Sequence, residues 1–172
     1  MTKLICVHGP ESTGKTTLAL QLARHFWAPL VSEYGRRYCE IHGLDLDAGQ
    51  LIEIGQTQSA LTREELASND RLVITDTDAV TTAAWSLMIL GHVPEALFAG
   101  WPQPDLYLLT DIDIPWVDDG MRYYPDPVDR ARFMRACETV LEKVAARVVR
   151  ISGSRDERMA QAIAAIEALG AC

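Results

Sequence analysis

The chain lacks most of what would take a protein out of water or into an oxidising compartment. It has four cysteines in 172 residues, namely Cys6, Cys39, Cys137 and Cys172. They show no CxxC spacing and no partnered histidines, which argues against a zinc site and for a reduced, cytoplasmic protein. No apolar run is long enough to span a bilayer, and the stretch in "MTKLICVHGP" is too short for a signal peptide. Positive charge is scarce: 16 Lys and Arg stand against 24 Asp and Glu, a formal net charge of −8. Duplex nucleic acid and anionic membranes both reward a basic surface, so neither is expected as a partner. Any anionic ligand must be held by local positive features working against the global field. Internal repeats, low-complexity tracts and Gly/Ser linkers are also missing, and one domain over residues 1–172 is the expectation.

What the chain does have is apolar residues, 48% of the total, arranged in short runs. "KLICVH" (3–8), "APLVSE" (28–33), "RLVITD" (71–76), "DLYLLT" (105–110) and "ARVVRI" (146–151) read as parallel strands covered on both faces. Helical spacing separates them. Leu18, Leu22 and Phe26 form one stripe, and Leu51, Ile54, Gln58 and Leu61 a second. A helix from about Val80 stops at Gly91, and Asp126–Pro127 opens another whose stripe runs Ala131, Met134, Cys137 or Glu138, Leu141 and Val144. A last helix carries Met159, Ile163 and Ile166 and ends near Gly170. Strand alternating with helix predicts an α/β fold of the P-loop NTPase type: an open five-stranded parallel sheet with helices on both faces. Ligands of such sheets sit at the carboxyl ends of the strands.

The first strand runs directly into "GPESTGKT", residues 9–16, a full match to GxxxxGK[ST] in the strand–loop–helix setting that the motif requires. Glycines let successive amides turn inward as an anion nest at a helix N-terminus. Gly9, Glu11, Ser12, Thr13, Gly14, Lys15, Thr16 and Thr17 are therefore expected to bind ATP. Lys15 would reach the β- and γ-phosphates, and the Thr16 hydroxyl would ligate Mg²⁺.

A GTPase should carry an Asn/Thr-Lys-x-Asp element after a later strand, and "LLTDIDIPWVDDG" has no lysine. The other strand ends carry acids: Glu33 in "VSEYGRRY", and Asp76 and Asp78 in "DTDAVTT". A kinase acting on a hydroxyl needs a carboxylate to take or orient its proton and another to hold Mg²⁺ through water. Asp76 closes an apolar run and is assigned to the metal. Glu33 or Asp78 would orient the acceptor, although a helix N-cap or surface ion pair would explain any one of these acids, Asp78 above all. The loop 113–130, "DIPWVDDGMRYYPDPVDR", is long for a connector. As a lid it would swing Arg122 and Arg130 over the phosphates; as a solvated loop it would pair them with Asp118, Asp119 and Asp129.

Taken together, "GPESTGKTTL", "EYGRRY", Gly55–Gln56, "DTDAVTT" and above all "DLYLLTDIDIPWVDDGMR" resemble the nicotinamide riboside kinase domain of NadR-type proteins, over essentially the whole chain. The resemblance implies ATP- and Mg²⁺-dependent phosphorylation of the ribosyl 5′-hydroxyl of nicotinamide riboside, giving nicotinamide mononucleotide in NAD salvage. It implies phosphate-binding roles for Gly14, Lys15, Thr16 and Thr17, and acidic substrate or metal roles for Glu33, Asp76 and Asp78. Arg122 becomes a catalytic lid arginine beside Lys15. Aromatic rings in the family's pocket face the pyridinium, and a cationic ring favours a π face. Tyr34, Trp85 and Trp116 are the candidates, although Trp85 fits a core position equally well. Arg36, Asp118 and Asp119 complete the expected acceptor set, and Arg155 in "SGSRDER" is expected beside the adenine. NadR-type proteins also carry an adenylyltransferase domain, for which 172 residues leave no room. Two other readings stay open: a kinase for a different nucleoside or nucleotide, and a nucleotide-binding switch or ATPase with no small acceptor.

Overall fold

The computed structural model describes residues 1–170, so the expectation for Cys172 lies outside the described residues. Five strands, β1 (Lys3–His8), β2 (Leu30–Val31), β3 (Leu72–Asp76), β4 (Leu106–Thr110) and β5 (Val148–Ile151), form one parallel sheet in the order β2-β3-β1-β4-β5. Six helices connect or follow them: α1 (Lys15–Phe26), α2 (Tyr34–His42), α3 (Ala48–Ser68), α4 (Ala79–Leu90), α5 (Pro127–Lys143) and α6 (Arg155–Glu167). Central β1 pairs with β3 on one side and β4 on the other, bringing Ile5 opposite both Ile74 and Leu106.

Alternation along these strands builds two cores, because successive side chains point to opposite faces. Ile5, Val7, Leu106 and Leu108 pack with Leu18, Leu22 and Ile166 of α1 and α6. Cys6, Tyr107 and Leu109 pack on the opposite face with Val80, Phe133, Cys137 and Leu141 of α4 and α5. The central strands β1, β3 and β4 are thus covered on both sides, as their continuous apolar runs predict, whereas the edge strand β5 is largely exposed and buries only Ile151. Two helix boundaries also follow local chemistry: Gly91 ends α4 in the left-handed conformation, and Asp126 caps α5 while Pro127 fills its first turn.

Three local expectations need correction. The second strand has only two residues, Leu30 and Val31, held along one edge of β3. Glu33 is therefore not a strand end but the residue that opens α2, a helix the sequence reading left out. On α3, Leu61 is 39% exposed, and the buried face instead carries Gly55, Ser59 and Thr62 beside Leu51, Ile54 and Gln58. Gly55 is there for contact: a Cβ at this position would lie 2.9 Å from the Leu97 side chain. The buried face of α5 includes Phe133, Ala136 and Val140, which the proposed stripe omitted.

Candidate active site

Between β1 and α1 the chain makes the tight turn that its glycines allow. Gly9 has φ +142°, and a Cβ there would lie 2.5 Å from the Thr110 hydroxyl at the end of β4. Gly14 enters α1 at φ +81°, the left-handed region that glycine adopts without penalty. Inside the turn, the Thr13 hydroxyl donates to the Pro10 carbonyl at 2.7 Å and meets the Thr110 hydroxyl at 2.7 Å. The start of α1 has no side-chain cap and no acid in its first turn, so its amides are available to an anion. The Lys15 ammonium donates to the Pro10 carbonyl at 2.8 Å, keeping the charge on the loop itself.

One guanidinium holds this loop from behind. Arg158 of α6 is buried and donates to the carbonyls of Thr13 and Gly153 at 2.9 Å each and of Asp111 at 3.2 Å, and it also pairs with Asp113. Sequence reasoning chose Arg155 from the same segment. Arg155 is exposed at the first turn of α6 and lies off the cavity wall, with the Gln21 amide able to accept from it. A usable signal existed: Arg158, Ala162 and Ile166 form the buried stripe of α6, and a charged residue in an apolar stripe needs partners.

A cavity of about 160 Å³ opens beside the loop. Its walls include Gly14, Lys15, Thr16 and Thr17 of the loop and α1, Glu33 and Arg36 at the start of α2, and the rings of Trp85 and Tyr123. Ser12, Thr13 and Glu11 also line it. Asp76 closes β3 behind this wall, 1% exposed, with its Oδ1 lacking a hydrogen-bond partner among the described residues. Burial raises its pKa; the Thr16 hydroxyl and the Lys15 ammonium act in the opposite direction and do not offset it. A buried carboxylate oxygen without a partner, beside the motif's threonine hydroxyl, suits a cation shared with phosphates and water. Magnesium commonly takes one or two protein oxygens in this way. Among the described residues no group of three or more His, Cys, Asp or Glu side chains could hold a metal alone, which such a site does not need.

Glu33 sits 3.9 Å from the Arg36 guanidinium. Burial pushes its carboxyl up, with Lys15 opposing and Asp76 adding to the rise. Asp78 takes the other role open to it in the sequence, a helix N-cap, and the acceptor role is corrected: it does not face the cavity. Its side chain caps α4, accepting from the amides of Val80 at 3.0 Å and Thr81 at 3.1 Å. It also accepts from the Trp101 indole at 2.9 Å and the Tyr107 hydroxyl at 2.5 Å. With its lone pairs occupied this way, it has nothing left for an acceptor.

Four more expected acceptor residues lie off the cavity. Tyr34 lies off the cavity, its ring 6.0 Å from that of Tyr38 and its amide on Gln58. Trp116 also lies off it and donates its indole N–H to Glu11 at 3.3 Å. Asp118 is exposed and accepts from the Gly120 amide, while Asp119 pairs with Arg36 at 3.0 Å and Arg122 at 3.1 Å instead of lining the cavity. Glu11 touches the cavity, but its carboxylate is committed to the lid, where it accepts from the amides of Tyr123 and Tyr124. Arg122 combines both readings of the loop: it pairs with Asp119 and also donates to the Ser12 hydroxyl at 2.9 Å, on the cavity wall. Arg130 follows neither reading: it lies off the cavity wall and donates to the Ile114 carbonyl at 3.0 Å rather than to Asp118, Asp119 or Asp129.

The aromatic wall combines one expected ring with one unassigned in the sequence. The Trp85 ring lies 5.6 Å from Tyr123, 5.9 Å from Tyr124 and 4.5 Å from Phe133. Trp85 and Tyr123 face the cavity. "MRYY" carries no spacing signal that would have separated Tyr123 from its neighbours.

The AAA domain family matches residues 4–158 of the chain, from the first residues of β1 into α6. The chain belongs to that family. Among curated relatives of this AAA-domain protein, the trifunctional NAD biosynthesis/regulator protein NadR of Escherichia coli (strain K12) is 30% identical over 158 residues, 87% of this chain and 38% of that protein. The chain thus spans well under half the length of that relative. A crystal structure of NadR protein in complex with NR superposes with a TM-score of 0.80 at 27% identity, covering 97% of this chain and 51% of that one. Another of NadR protein, in complex with NAD and AMP-PNP, gives 0.76 at 25% identity, covering 97% and 49%.

Proposed function

We propose that the protein is an ATP-dependent kinase that phosphorylates the ribosyl 5′-hydroxyl of nicotinamide riboside, giving nicotinamide mononucleotide for NAD synthesis. The observation that carries this reading is one cavity lined together by the phosphate-loop residues, the Glu33 carboxylate and the two aromatic rings of Trp85 and Tyr123. A switch or bare ATPase has no use for such a chamber. The NR-bound NadR relative, similar over 97% of this chain, supports the choice of acceptor.

Each part has a physical role. Amides at the start of α1 bind the triphosphate, and Lys15 exchanges the Pro10 carbonyl for phosphate oxygens. Thr16 and Asp76 would hold Mg²⁺, which when bound neutralises charge on the β- and γ-phosphates. Glu33 orients the 5′-hydroxyl and takes its proton; burial makes it a stronger base than an exposed glutamate. Arg122 reaches the loop from the lid and balances charge developing in transfer. Trp85 and Tyr123 receive the cationic pyridinium.

A nucleoside suits the site better than a nucleotide. The cations on the cavity wall are Lys15, Arg36 and Arg122. Lys15 serves the triphosphate, and both arginines already share Asp119, so none is left for an acceptor phosphate. The test is a coupled ADP assay with Mg-ATP and a panel of nucleosides and nucleoside monophosphates. Nicotinamide riboside should give the highest kcat/KM. Preference for a purine or pyrimidine acceptor would replace the assignment, and hydrolysis unaffected by any acceptor would remove it.

A further inference from the structure

In the loop between β1 and α1, only part of the motif faces the phosphate side. Glu11 and Ser12 instead face the segment 113–130. Glu11 is 8% exposed, and its carboxylate accepts from the Tyr123 amide at 2.9 Å, the Tyr124 amide at 2.6 Å and the Trp116 indole at 3.3 Å. Ser12, held at φ +56°, accepts from the Val117 amide and the Arg122 guanidinium, both at 2.9 Å. Two adjacent side chains of the phosphate loop therefore receive five donors from the lid. These bonds fix the backbone at the point where the chain presents the Tyr123 ring to Trp85.

We infer that Glu11 is a positioning residue for the acceptor: through the Tyr123 amide it sets the aromatic wall, while contributing nothing directly to phosphate binding. This rests on the cavity's being the acceptor site. Charge-assisted bonds from a carboxylate to main-chain amides are among the stronger hydrogen bonds, and removing the carboxylate leaves buried donors unpaired. The lid would then lose its register on the loop, and Tyr123 its place. The phosphate nest is made of other groups, amides from Gly14 onward and Lys15, and it is braced from behind by Arg158.

The test compares Glu11→Ala, Glu11→Gln, Tyr123→Ala and the double variant Glu11→Ala/Tyr123→Ala with the wild type. Glu11→Ala should raise the acceptor KM about tenfold, the equivalent of about 1.4 kcal/mol, with the ATP KM changed less than about twofold. Glu11→Gln keeps one accepting oxygen and should recover part of the loss. In the Tyr123→Ala background, the Glu11 substitution should add little, since both act through one ring. Equal rises in both KM values, or full additivity in the double variant, would overturn the inference by making Glu11 a general support of the loop.

Amide hydrogen exchange gives a readout independent of acceptor identity. In Glu11→Ala the amides of Tyr123 and Tyr124 should exchange at least about tenfold faster, while those of β1 and α1 keep wild-type protection. Unchanged protection at 123 and 124 would also overturn it. If the wild type ignores nicotinamide riboside but the exchange result holds, the acceptor assignment fails and the role of Glu11 in placing Tyr123 stands.

Discussion

Two helices start at the carboxyl ends of neighbouring strands, α1 after β1 and α4 after β3, on opposite faces of the sheet, and their first turns are used in opposite ways. In α4, Asp78 takes the amides of Val80 and Thr81 and two further donors from Trp101 and Tyr107, so the turn is saturated by the protein itself. In α1 no side chain caps the turn and no acid lies within it. The same contrast separates two acids only two residues apart: Asp78 is fully engaged, whereas Asp76 has a buried oxygen with no hydrogen-bond partner among the described residues. Saturated polar groups hold a fold together, and buried unsaturated ones carry a cost that a ligand can relieve.

The largest effect expected from this contrast is at the unsaturated helix start. Lys15→Ala should lower kcat by about 10³-fold or more with the melting temperature nearly unchanged, because it removes charge directed at the transferring phosphoryl group. A normal turnover number would end the phosphate assignment. Asp76→Asn should come next, with a kcat loss of about 10²–10³-fold that rising Mg²⁺ concentration partly recovers. A loss insensitive to magnesium would separate Asp76 from the metal. Asp78→Ala should behave in the opposite manner. It strands several buried donors, costing about 3 kcal/mol, and should lower the melting temperature by about 6–12 °C. Thermal unfolding and kinetics on the same samples would show this, and a stable but inactive variant would reverse the comparison.

The smallest effect is on a pH profile. Burial raises the Glu33 pKa, and a general base works only when deprotonated. Activity should therefore fall as pH drops through a midpoint above the ordinary glutamate value of about 4.3. Glu33→Gln should be slow at every pH and lack that limb. An unshifted limb in Glu33→Gln would assign it to another group.

The sequence showed clearly those features whose cause is local. The apolar runs gave five parallel strands, the GxxxxGK[ST] spacing gave the loop, and Gly91 and Asp126–Pro127 gave helix boundaries. What escaped depends on distant partners. α2 contains "YGRRYCEIH", in which only Tyr38 is buried, too little to make an apolar stripe. The cap at Asp78 was open in the sequence, but its two further donors, Trp101 and Tyr107, lie 23 and 29 residues away. Glu11 is engaged by Tyr123 and Tyr124 across 112 and 113 residues, and nothing in its neighbours announces this. Trp85 stood out as an aromatic near the acids, but Tyr123 rather than Trp116 became its companion because the lid folds back on the loop. Choosing among several exposed-looking aromatics needs the path of that lid.

The Arg158 guanidinium links distant parts of the chain, since the Thr13 carbonyl it grips lies 145 positions earlier. On a ribosome, β1 and the glycine-rich turn emerge long before the side chain that braces them. A nascent polypeptide should therefore recognise nucleotide poorly until α6 has cleared the exit tunnel, and a product truncated in the linker after β5 should lose ligand binding although every motif residue is still present.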